Sequence, residues 1–380
     1  MPTGDASDLT RAALEVLETA GGPGSAPAAA WAPGRCTLVG EHVDYAGGQV
    51  LCVAVDLGIA SAVRRSGTAR YLAASGGTVA IRDAADPAGD QGDRVLAPVV
   101  ALRARGVPVP AVEVGIAATL PAGAGLASSA ALMVATATAI LRLLGAGMSA
   151  RDLAAVALSA ERDVLGIPCG PLDQRAVIDA PDGGALLLDC ATGGGESVAW
   201  PWPDAVLVGC DTGMHHDVGG VEYRRRREET ESGLASLGAT SCQELTAAVI
   251  DSAPVAPEVK RRLHHVMAES RRAVEAADAM RRADLGALGR LMSASHRSLR
   301  DLHEVSTPAL DAVVSAAQAV PGCLGARMVG AGFGGAVVAL VTRDSAEACR
   351  SAMAAPSGGA TFRLRPSPGV ALLAPDVVRG

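Results

Sequence analysis

The sequence contains one lysine, Lys260, in the helical context PEVKRRLHH. The Walker phosphate loop requires a lysine beside its last glycine, and a protein kinase requires one on an early strand. The absence of any other lysine therefore excludes both common schemes for holding the phosphates of ATP. Any phosphate that this chain binds must be held by backbone amides, hydroxyl groups, arginines and a metal ion.

Aromatic residues are also scarce, at 2% of the chain, whereas 49% of the residues are hydrophobic and 19% are charged. The core must therefore be built from Ala, Val, Leu and Ile, which is a globular composition. The formal net charge of −7 gives no general attraction to nucleic acid or to an anionic membrane. We expect neither as a partner.

Long hydrophobic segments and a secretory signal are missing as well. The opening segment, MPTGDASDLTRAALEVLETA, lacks a basic flank followed by an apolar core. The longest apolar run, 130–144, is interrupted by Arg142 and is too short to cross a membrane. These features predict a cytoplasmic protein.

The cysteines and histidines show no metal-binding spacing. No C-x-x-C pair occurs among the eight cysteines, which predicts reduced, structural thiols. The adjacent pairs His215-His216 and His264-His265 point in different directions on a helix or strand, so neither pair chelates one ion without further ligands. We therefore expect no zinc site.

At 380 residues the chain exceeds the roughly 250–300 residues at which a single core stops growing, so two domains are expected. The Pro/Trp segment 201–203 predicts their boundary, with an N-terminal domain at 1–203 and a C-terminal domain at 204–380. Periodicity predicts a mixed α/β fold with two lobes. Helices are predicted at 8–19, 127–144, 151–165, 222–236, 257–283, 286–303 and 308–319. Strands are predicted around Trp31 and at 49–65 (one or two), 71–82, 112–120, 184–190, 205–211, 327–329 and 336–341, with a loop at 83–94.

The loop PAGAGLASSA, residues 121–130, lies between a predicted strand and a predicted helix. Small residues let the backbone close around an anion, and the start of a helix supplies free amide donors and a favourable dipole. Ser128 and Ser129 add hydroxyl groups that can reach a phosphate oxygen or a magnesium ion. Taken alone, the same pattern also fits a tight turn with a serine cap.

A second glycine cluster, GAGFGG at residues 330–335, matches G-x-G-x-x-G but is followed by the strand-like AVVALV. A dinucleotide-binding fingerprint requires a helix after the glycines, so a site of that kind is excluded. The cluster instead predicts a tight turn that lets the backbone approach a ligand or the other lobe.

The segment APGRCTLVGEHVDYAGG places Arg35, Glu41, His42, Asp44 and Tyr45 among glycines just before a buried strand. Charged groups beside a buried strand are costly unless they are paired or face a ligand. A salt bridge between Arg35 and Glu41, or a solvated turn, also fits this pattern.

Two further polar segments have ordinary structural interpretations. GIPCGPLDQ puts Asp173 in a predicted Gly/Pro loop after a helix, where an aspartate commonly serves the turn itself. The arginines at 224–227 predict an exposed helix with i,i+4 pairs such as Arg225 with Glu229.

Three motifs, taken in their order along the chain, resemble those of the galactokinases, one family of the GHMP kinase superfamily. GRCTLVGEHVDY resembles the galactokinase signature, PAGAGLASSA the phosphate loop of the superfamily, and GARMVGAGFGG its third motif. CGPLDQ and VEYRRRREE extend the likeness, which covers most of residues 31–342. The resemblance implies an N-terminal lobe like ribosomal S5 domain 2, a ferredoxin-like C-terminal lobe, and an active site between them.

The resemblance also implies a kinase that uses ATP and Mg²⁺ to phosphorylate a small sugar, galactose, at its C1 hydroxyl. Asp173 would face that hydroxyl as a base or an anion, and Arg35 would orient Asp173 and stabilise charge on the transferring group. An aspartate beside an arginine favours late proton transfer, or simple orientation, over full proton abstraction before attack. By the same resemblance the sugar would be held by Glu41, His42, Asp44, Gly170 and Tyr223, the phosphates by Gly123, Ala124, Gly125, Leu126, Ala127, Ser128 and Ser129, and magnesium by Ser129 and Glu161.

The sequence departs from the family pattern at Thr37, Ala46, Ala127 and Pro171-Leu172, and none of these changes removes a proposed catalytic group. Three of the changes flank sugar-binding residues, so a kinase for another sugar, such as N-acetylgalactosamine or arabinose, remains an alternative.

A sensor of sugar and ATP without useful catalysis is a further alternative. The full-length serine-rich loop, Arg35 and Asp173 argue against it. Which arginine besides Arg35 contacts the nucleotide is left open, as is the oligomeric state, for which a monomer is compatible with the sequence.

Overall fold

The chain folds into two β-sheets covered by helices, in a computed structural model that describes residues 6–121, 123–214 and 220–372. The predicted mixed α/β class is confirmed. The strands are β1 Ala28–Val39, β2 Gln49–Arg65, β3 Tyr71–Ser75, β4 Thr78–Arg82, β5 Val112–Ala118, β6 Gly184–Asp189, β7 Gly195–Ala199, β8 Ala205–Asp211, β9 Cys323–Val329, β10 Ala336–Thr342, β11 Thr361–Leu364 and β12 Ala371–Leu372. The helices are α1 Ala6–Gly21, α2 Gly92–Ala104, α3 Ser128–Leu144, α4 Ala150–Ser159, α5 Leu172–Asp179, α6 Val221–Ser236, α7 Ala247–Ser252, α8 Pro257–Arg281, α9 Leu285–Ser298, α10 Pro308–Gln318 and α11 Ala346–Ser357.

Strand β2 organises the larger sheet because it has partners on both edges. Strand β1 pairs with it antiparallel along one edge, while β6 and then β5 pair with it along the other. The order β12-β1-β2-β5-β3-β4 results, with β7 added next to β6. The smaller sheet has the order β11-β8-β10-β9, and its pairings are antiparallel.

Helices cover both sheets and join them. Helix α3 packs against β1 and β2 through a face of small residues, mainly alanine, valine and threonine. Helix α8 contacts β2 as well as α6 and α9, and α9 lies on β9. One hydrophobic cluster therefore includes residues of both sheets, such as Val53 and Leu187 of the larger and Leu207 and Leu340 of the smaller. The predicted aliphatic core is present.

Most of the predicted elements are confirmed. Helix α3 ends at Leu144, and Gly145 follows in the left-handed conformation with φ of 63°, which satisfies the last carbonyls of the helix. Thr307 caps α10 by accepting the amide of Leu310, and Pro308 occupies the first helical position.

Two predictions for residues 71–94 are wrong. The single strand predicted at 71–82 is a hairpin, because Gly76 and Gly77 adopt φ of 56° and 79° and turn the chain between β3 and β4. The loop predicted at 83–94 ends early, because α2 begins at Gly92 and continues through Pro98.

The larger sheet takes its strands from β1 to β7, and the smaller sheet from β8 to β11. Strand β12 then returns to the larger sheet, where Trp31 pairs with Ala371. The domain limits 1–203 and 204–380 therefore stay a prediction.

No helix in the described ranges is both long and apolar enough to cross a bilayer.

Candidate active site

The glycine-rich loop connects β5 to α3 and forms one wall of a cavity of about 300 Å³. Ala127 precedes the helix in the left-handed conformation, with φ of 59°, and provides no side-chain cap. The first backbone amides of α3 therefore receive no cap from that side chain. An anion site at a helix start requires such uncapped amides. The loop residues that line the cavity are Gly123, Gly125, Ala127, Ser128 and Ser129. Ala124 and Leu126 belong to the same loop, but their side chains are buried and do not line the cavity.

The loop rests directly on the second glycine cluster. Gly125 and Gly330 adopt φ of 71° and 81°, and a Cβ on Gly125 would meet the Val329 carbonyl oxygen at 2.6 Å. A Cβ on Gly330 would lie 2.8 Å from Gly125 Cα. Only glycine permits this approach, so the tight turn predicted for the cluster brings the backbone of one lobe against the glycine-rich loop of the other.

Arg35, on β1, links the loop to Asp173. Its Nε and Nη2 donate to Asp173 Oδ1 at 2.9 and 2.5 Å, and its Nη1 donates to the Gly125 carbonyl oxygen at 2.5 Å. Burial lowers the pKa of Arg35, but Asp173 and Glu41 outweigh it and hold that pKa above its ordinary value. A charged guanidinium is therefore fixed between the loop and the carboxylate.

Asp173 does not lie in a loop, as its Gly/Pro context predicts, but in the first turn of α5. Pro171 precedes the helix with φ of −82°, which suits a helix start and needs no amide donor there. A carboxylate in the first turn is stabilised by the helix dipole. The position also leaves the side chain partly exposed to the cavity.

Glu41 connects the signature segment to the second glycine cluster. Its Oε1 accepts the Gly330 amide at 2.7 Å and lies 3.6 Å from Nη2 of the fully buried Arg327. Burial raises the pKa of Glu41, and the positive charges of Arg327 and Arg35 oppose this rise. Arg327 also donates to the Thr37 carbonyl oxygen at 3.1 Å, so it ties both segments together.

His42 belongs to a stack of buried histidine rings, with His303 4.5 Å from both His42 and His265. His42 Nε2 lies 3.1 Å from the Ala331 carbonyl oxygen and must donate to it. Its Nδ1 therefore accepts from the Tyr45 hydroxyl at 3.0 Å. Burial, reinforced by His265, lowers the pKa of His42 to about 3, so the ring is neutral. Neither nitrogen of His42 is free for a ligand in this geometry.

Asp44, Gly170 and Tyr223 form the opposite part of the cavity wall. Burial and the nearby carboxylates Asp173 and Glu41 raise the pKa of Asp44 to about 6. Gly170 lies so close that a Cβ there would overlap Asp44 Oδ2. Its backbone φ is not positive, so contact with Asp44 is what requires glycine at this position.

Gly170→Ala is therefore expected to displace the Asp44 carboxylate. A buried acceptor hydroxyl group that loses Asp44 as its partner costs about 1–3 kcal/mol, so kcat/KM for the acceptor should fall roughly 5- to 150-fold, with little change in KM for ATP. Steady-state kinetics with each substrate varied in turn measures this. Gly147→Ala, at a glycine with open space and ordinary φ, is the matched control; equal kinetics in the two variants would contradict the prediction.

Ser129 and Glu161 provide oxygen donors beside the loop. Ser129 Oγ is buried and has no hydrogen-bond partner, although it lies close enough to Glu161 to favour the ionised carboxyl group. Glu161 lies on a π-helical turn, Ala160–Val164, and accepts from Gln174 Nε2. Burial raises the pKa of Glu161 to about 7. Mg²⁺ typically uses one or two protein oxygens together with substrate phosphates, so an unpartnered hydroxyl beside a carboxyl group fits this ion.

Sequence reasoning missed several residues around the cavity. Arg94, in the first turn of α2, lines it, and its charge favours the ionised form of Glu161. Arg327 and His303 were missed because each lies in an element whose pattern indicates only a strand or a helix. Gln174 is next to Asp173 and could have been found from that neighbour.

The two histidines of the pair His264-His265 have separate partners. His264 contacts Asp251 Oδ1 at 2.9 Å, whereas His265 lies between Ser298 and the Glu41 carbonyl oxygen. His215-His216 lies outside the described residues. Within those residues, no group of three or more His, Cys, Asp or Glu is arranged to hold a metal ion.

The chain matches three family descriptions. Residues 94–179 match the GHMP kinases N terminal domain, residues 276–357 the GHMP kinases C terminal domain, and residues 20–65 the galactokinase galactose-binding signature.

Known proteins similar to this chain include several galactokinases. The identity is 37% over 348 residues to galactokinase of Homo sapiens, with 88% of each chain covered. It is 35% over 352 residues to galactokinase of Roseiflexus sp. (strain RS-1), with 87% of this chain and 88% of the relative covered. The fold is similar to Lactococcus lactis galactokinase complexed with galactose, with a TM-score of 0.89, 27% identity, and coverage of 94% of this chain and 98% of the other. The chain belongs to the galactokinase family of the GHMP kinases.

Proposed function

We propose that the protein transfers the γ-phosphoryl group of ATP to the C1 hydroxyl of galactose, giving galactose 1-phosphate and ADP. The observation that carries this proposal is the placement of the Arg35–Asp173 pair in one cavity with an uncapped helix start and a set of polar side chains. As a member of its family the protein is an ATP-using kinase, so the loop has phosphates to bind and the polar set has an acceptor to hold.

The reaction requires an attacking oxygen and a phosphoryl group held in line. The C1 oxygen forms a bond to the γ-phosphorus while the bond from that phosphorus to the β–γ bridging oxygen breaks. Asp173 accepts the proton of the C1 hydroxyl group late in this step or orients that hydroxyl group, and Arg35 neutralises charge that develops on the transferring group. Because Arg35 also holds the Gly125 carbonyl, it aligns donor and acceptor.

Amides of the phosphate loop and the hydroxyl of Ser128 would hold the phosphates, and Arg94 is placed to add positive charge. Ser129 and Glu161 would hold Mg²⁺, which supplies charge neutralisation for the β- and γ-phosphate oxygens when bound. The unpartnered Ser129 Oγ and the buried Glu161 carboxyl group support this assignment.

Glu41, Asp44 and Tyr223 would bind the sugar hydroxyls, each of which can both donate and accept. An unpaired buried hydroxyl costs about 1–3 kcal/mol, so several such partners are needed. Both nitrogens of His42 are already bonded, so we propose that its ring shapes the wall and that Gly170 leaves room for Asp44.

Galactose is favoured over other sugars because the departures that flank sugar-binding residues, Thr37, Ala46 and Pro171, do not line the cavity. The departures at Ala127 and Leu172 do line it, and neither introduces or removes a charged group. Thr37 and Ala46 are buried, and Pro171 precedes α5. The signature carboxylates that do line it are retained.

A panel of acceptors tests the proposal. Purified protein with ATP and Mg²⁺ is assayed against galactose, N-acetylgalactosamine and arabinose, and ³¹P NMR identifies the phosphorylated carbon. We expect kcat/KM for galactose to exceed the others at least tenfold. A higher value for another sugar would support the alternative kinase, and binding of galactose and ATP without turnover would support the sensor.

A further inference from the structure

A second cavity, of about 380 Å³, lies at the junction of the two sheets. It is bounded by the connection between β7 and β8 and by the segment that follows β11. Its residues include Trp200, Trp202, Arg343, Arg363 and Arg365. None of the residues that line it also lines the active-site cavity.

The charge of this cavity is one-sided, because three arginines and no acidic residue line it. Arg343 is paired with Asp204 at 3.0 Å, but Arg363 has only Glu347 at 3.9 Å. The guanidinium group of Arg365 makes no hydrogen bond or ion pair within the described residues, although its charge favours the ionised form of the nearby Asp56 carboxyl group. Because Asp204, Glu347 and Asp56 do not line the cavity, an anion inside it would meet guanidinium groups and no carboxylate. Guanidinium groups suit phosphate.

The aromatic residues of the cavity indicate a second property of its ligand. The chain has three tryptophans, and two of them line this cavity. Trp200 Nε1 donates to the Trp202 carbonyl oxygen at 2.9 Å, and Trp202 Nε1 donates to the Ala283 carbonyl oxygen at 3.1 Å. Both ring nitrogens are therefore used to fix the indoles at an interplanar angle of 89°. What remains for a ligand is the apolar ring surface, which suits a flat or ring-shaped group.

The segment after β11 connects this cavity to β2, the strand that pairs with the strand of Arg35. Arg365 and Asp56 exchange two hydrogen bonds at 3.0 and 3.1 Å, and the Ser367 amide donates to the Ala54 carbonyl oxygen at 2.9 Å. Ala54 pairs on the other edge of β2 with Arg35. A ligand that repositions Arg365 therefore acts on the strand next to Arg35.

We propose that this cavity binds a small phosphate ester that carries a ring, with Arg363 and Arg365 at the phosphate and the two indoles against the ring. Binding changes catalysis through the segment 365–367. A nucleotide and a sugar phosphate both carry a ring and a phosphate group. Separate titrations with each of them distinguish the two. The binding site does not depend on the identity of the sugar that the enzyme phosphorylates.

Tryptophan fluorescence tests the site directly, because Trp31 lies in a separate hydrophobic cluster. The intact protein is titrated with ADP, with galactose 1-phosphate and with inorganic phosphate. We expect saturable quenching by ADP or by galactose 1-phosphate, and the ester that quenches identifies the source. The apparent Kd should rise at least tenfold when Arg363→Gln and Arg365→Gln are combined, and stay unchanged in Arg300→Ala, an exposed arginine paired only with Asp301.

If the double variant does not fold, Arg363→Gln alone replaces it in the titration, because Arg363 is exposed. Both esters are products of the proposed reaction, so each should slow the wild-type protein and the variant alike through the active site. Initial rates with ester present at its quenching concentration should show a further change in the wild-type protein that the variant lacks. Quenching that is absent, unchanged in the variants, or as strong with inorganic phosphate would overturn the proposal. Because the fluorescence titration needs no turnover, its failure is distinct from a failure of the sugar assay.

Discussion

Replacing Asp173 with asparagine is expected to lower kcat about 10²–10⁴-fold, the contribution of a positioned general base or acid. Asparagine keeps the shape of the side chain but is neutral and cannot take the proton of the acceptor hydroxyl. Arg35 donates both Nε and Nη2 to the same oxygen, Asp173 Oδ1, and an amide oxygen can occupy that position. The geometry of the cavity should therefore persist, and KM for the sugar should change only a few-fold.

The measurement combines initial rates with a thermal-shift titration by galactose. A ligand that binds only the folded state raises stability with its concentration, so the shift reports sugar binding without turnover. Asp179→Asn is the matched control, because Asp179 lies on the same helix and pairs with Arg175 outside the cavity. Similar kcat values for the two variants would show that Asp173 has no part in the chemical step.

The strand, glycine-rich loop and helix at 112–145 could be predicted from sequence because their requirements are local. A strand, a run of small residues and the start of a helix are all visible within residues 112–145, and the structure has each of them. The left-handed Ala127 could not be predicted, since alanine rarely adopts that conformation. Ala127 is buried in the main hydrophobic cluster. A local sequence pattern does not indicate such long-range packing.

The long-range contacts of the site could not be derived from the pattern alone. Arg35 and Asp173 are separated by 138 positions, and the family resemblance rather than any periodicity connected them. The interpretation of Asp173 as a loop residue failed because Gly and Pro that end one helix also start the next. Arg94 lies in α2, which was missed because Gly92 and Pro98 obscure its helical pattern.

Buried polar groups form the part of the site least accessible to sequence reasoning. His303 and Arg327 contribute no visible motif, yet the His303 ring packs against His42 and Arg327 approaches Glu41. Their effect depends on burial, which strengthens each charge and each unpaired group around it. The signature residues therefore owe their orientation to elements far away in the chain.

Arg35→Lys is expected to lower kcat/KM about 10²–10³-fold, the scale measured for losing one preorganised donor to a developing charge. Lysine retains the positive charge in a buried position, so Asp173 and Glu41 keep a counter-ion. It cannot reproduce the planar fork that reaches Asp173 through two nitrogens and the Gly125 carbonyl through a third. Because the loop loses that carbonyl contact, KM for ATP should rise as kcat falls.

Arg64→Lys separates this effect from a general loss of stability. Arg64 is as buried as Arg35, and its Nε and Nη2 both lie 2.7 Å from Glu113 Oε2 in the larger sheet, away from the cavity. Both variants should lose thermal stability to a similar degree, since each replaces a buried fork with a point charge. Only Arg35→Lys should lose activity. If its kcat/KM stays within threefold of Arg64→Lys, the positive charge of Arg35 suffices, and alignment of the loop with Asp173 has another source.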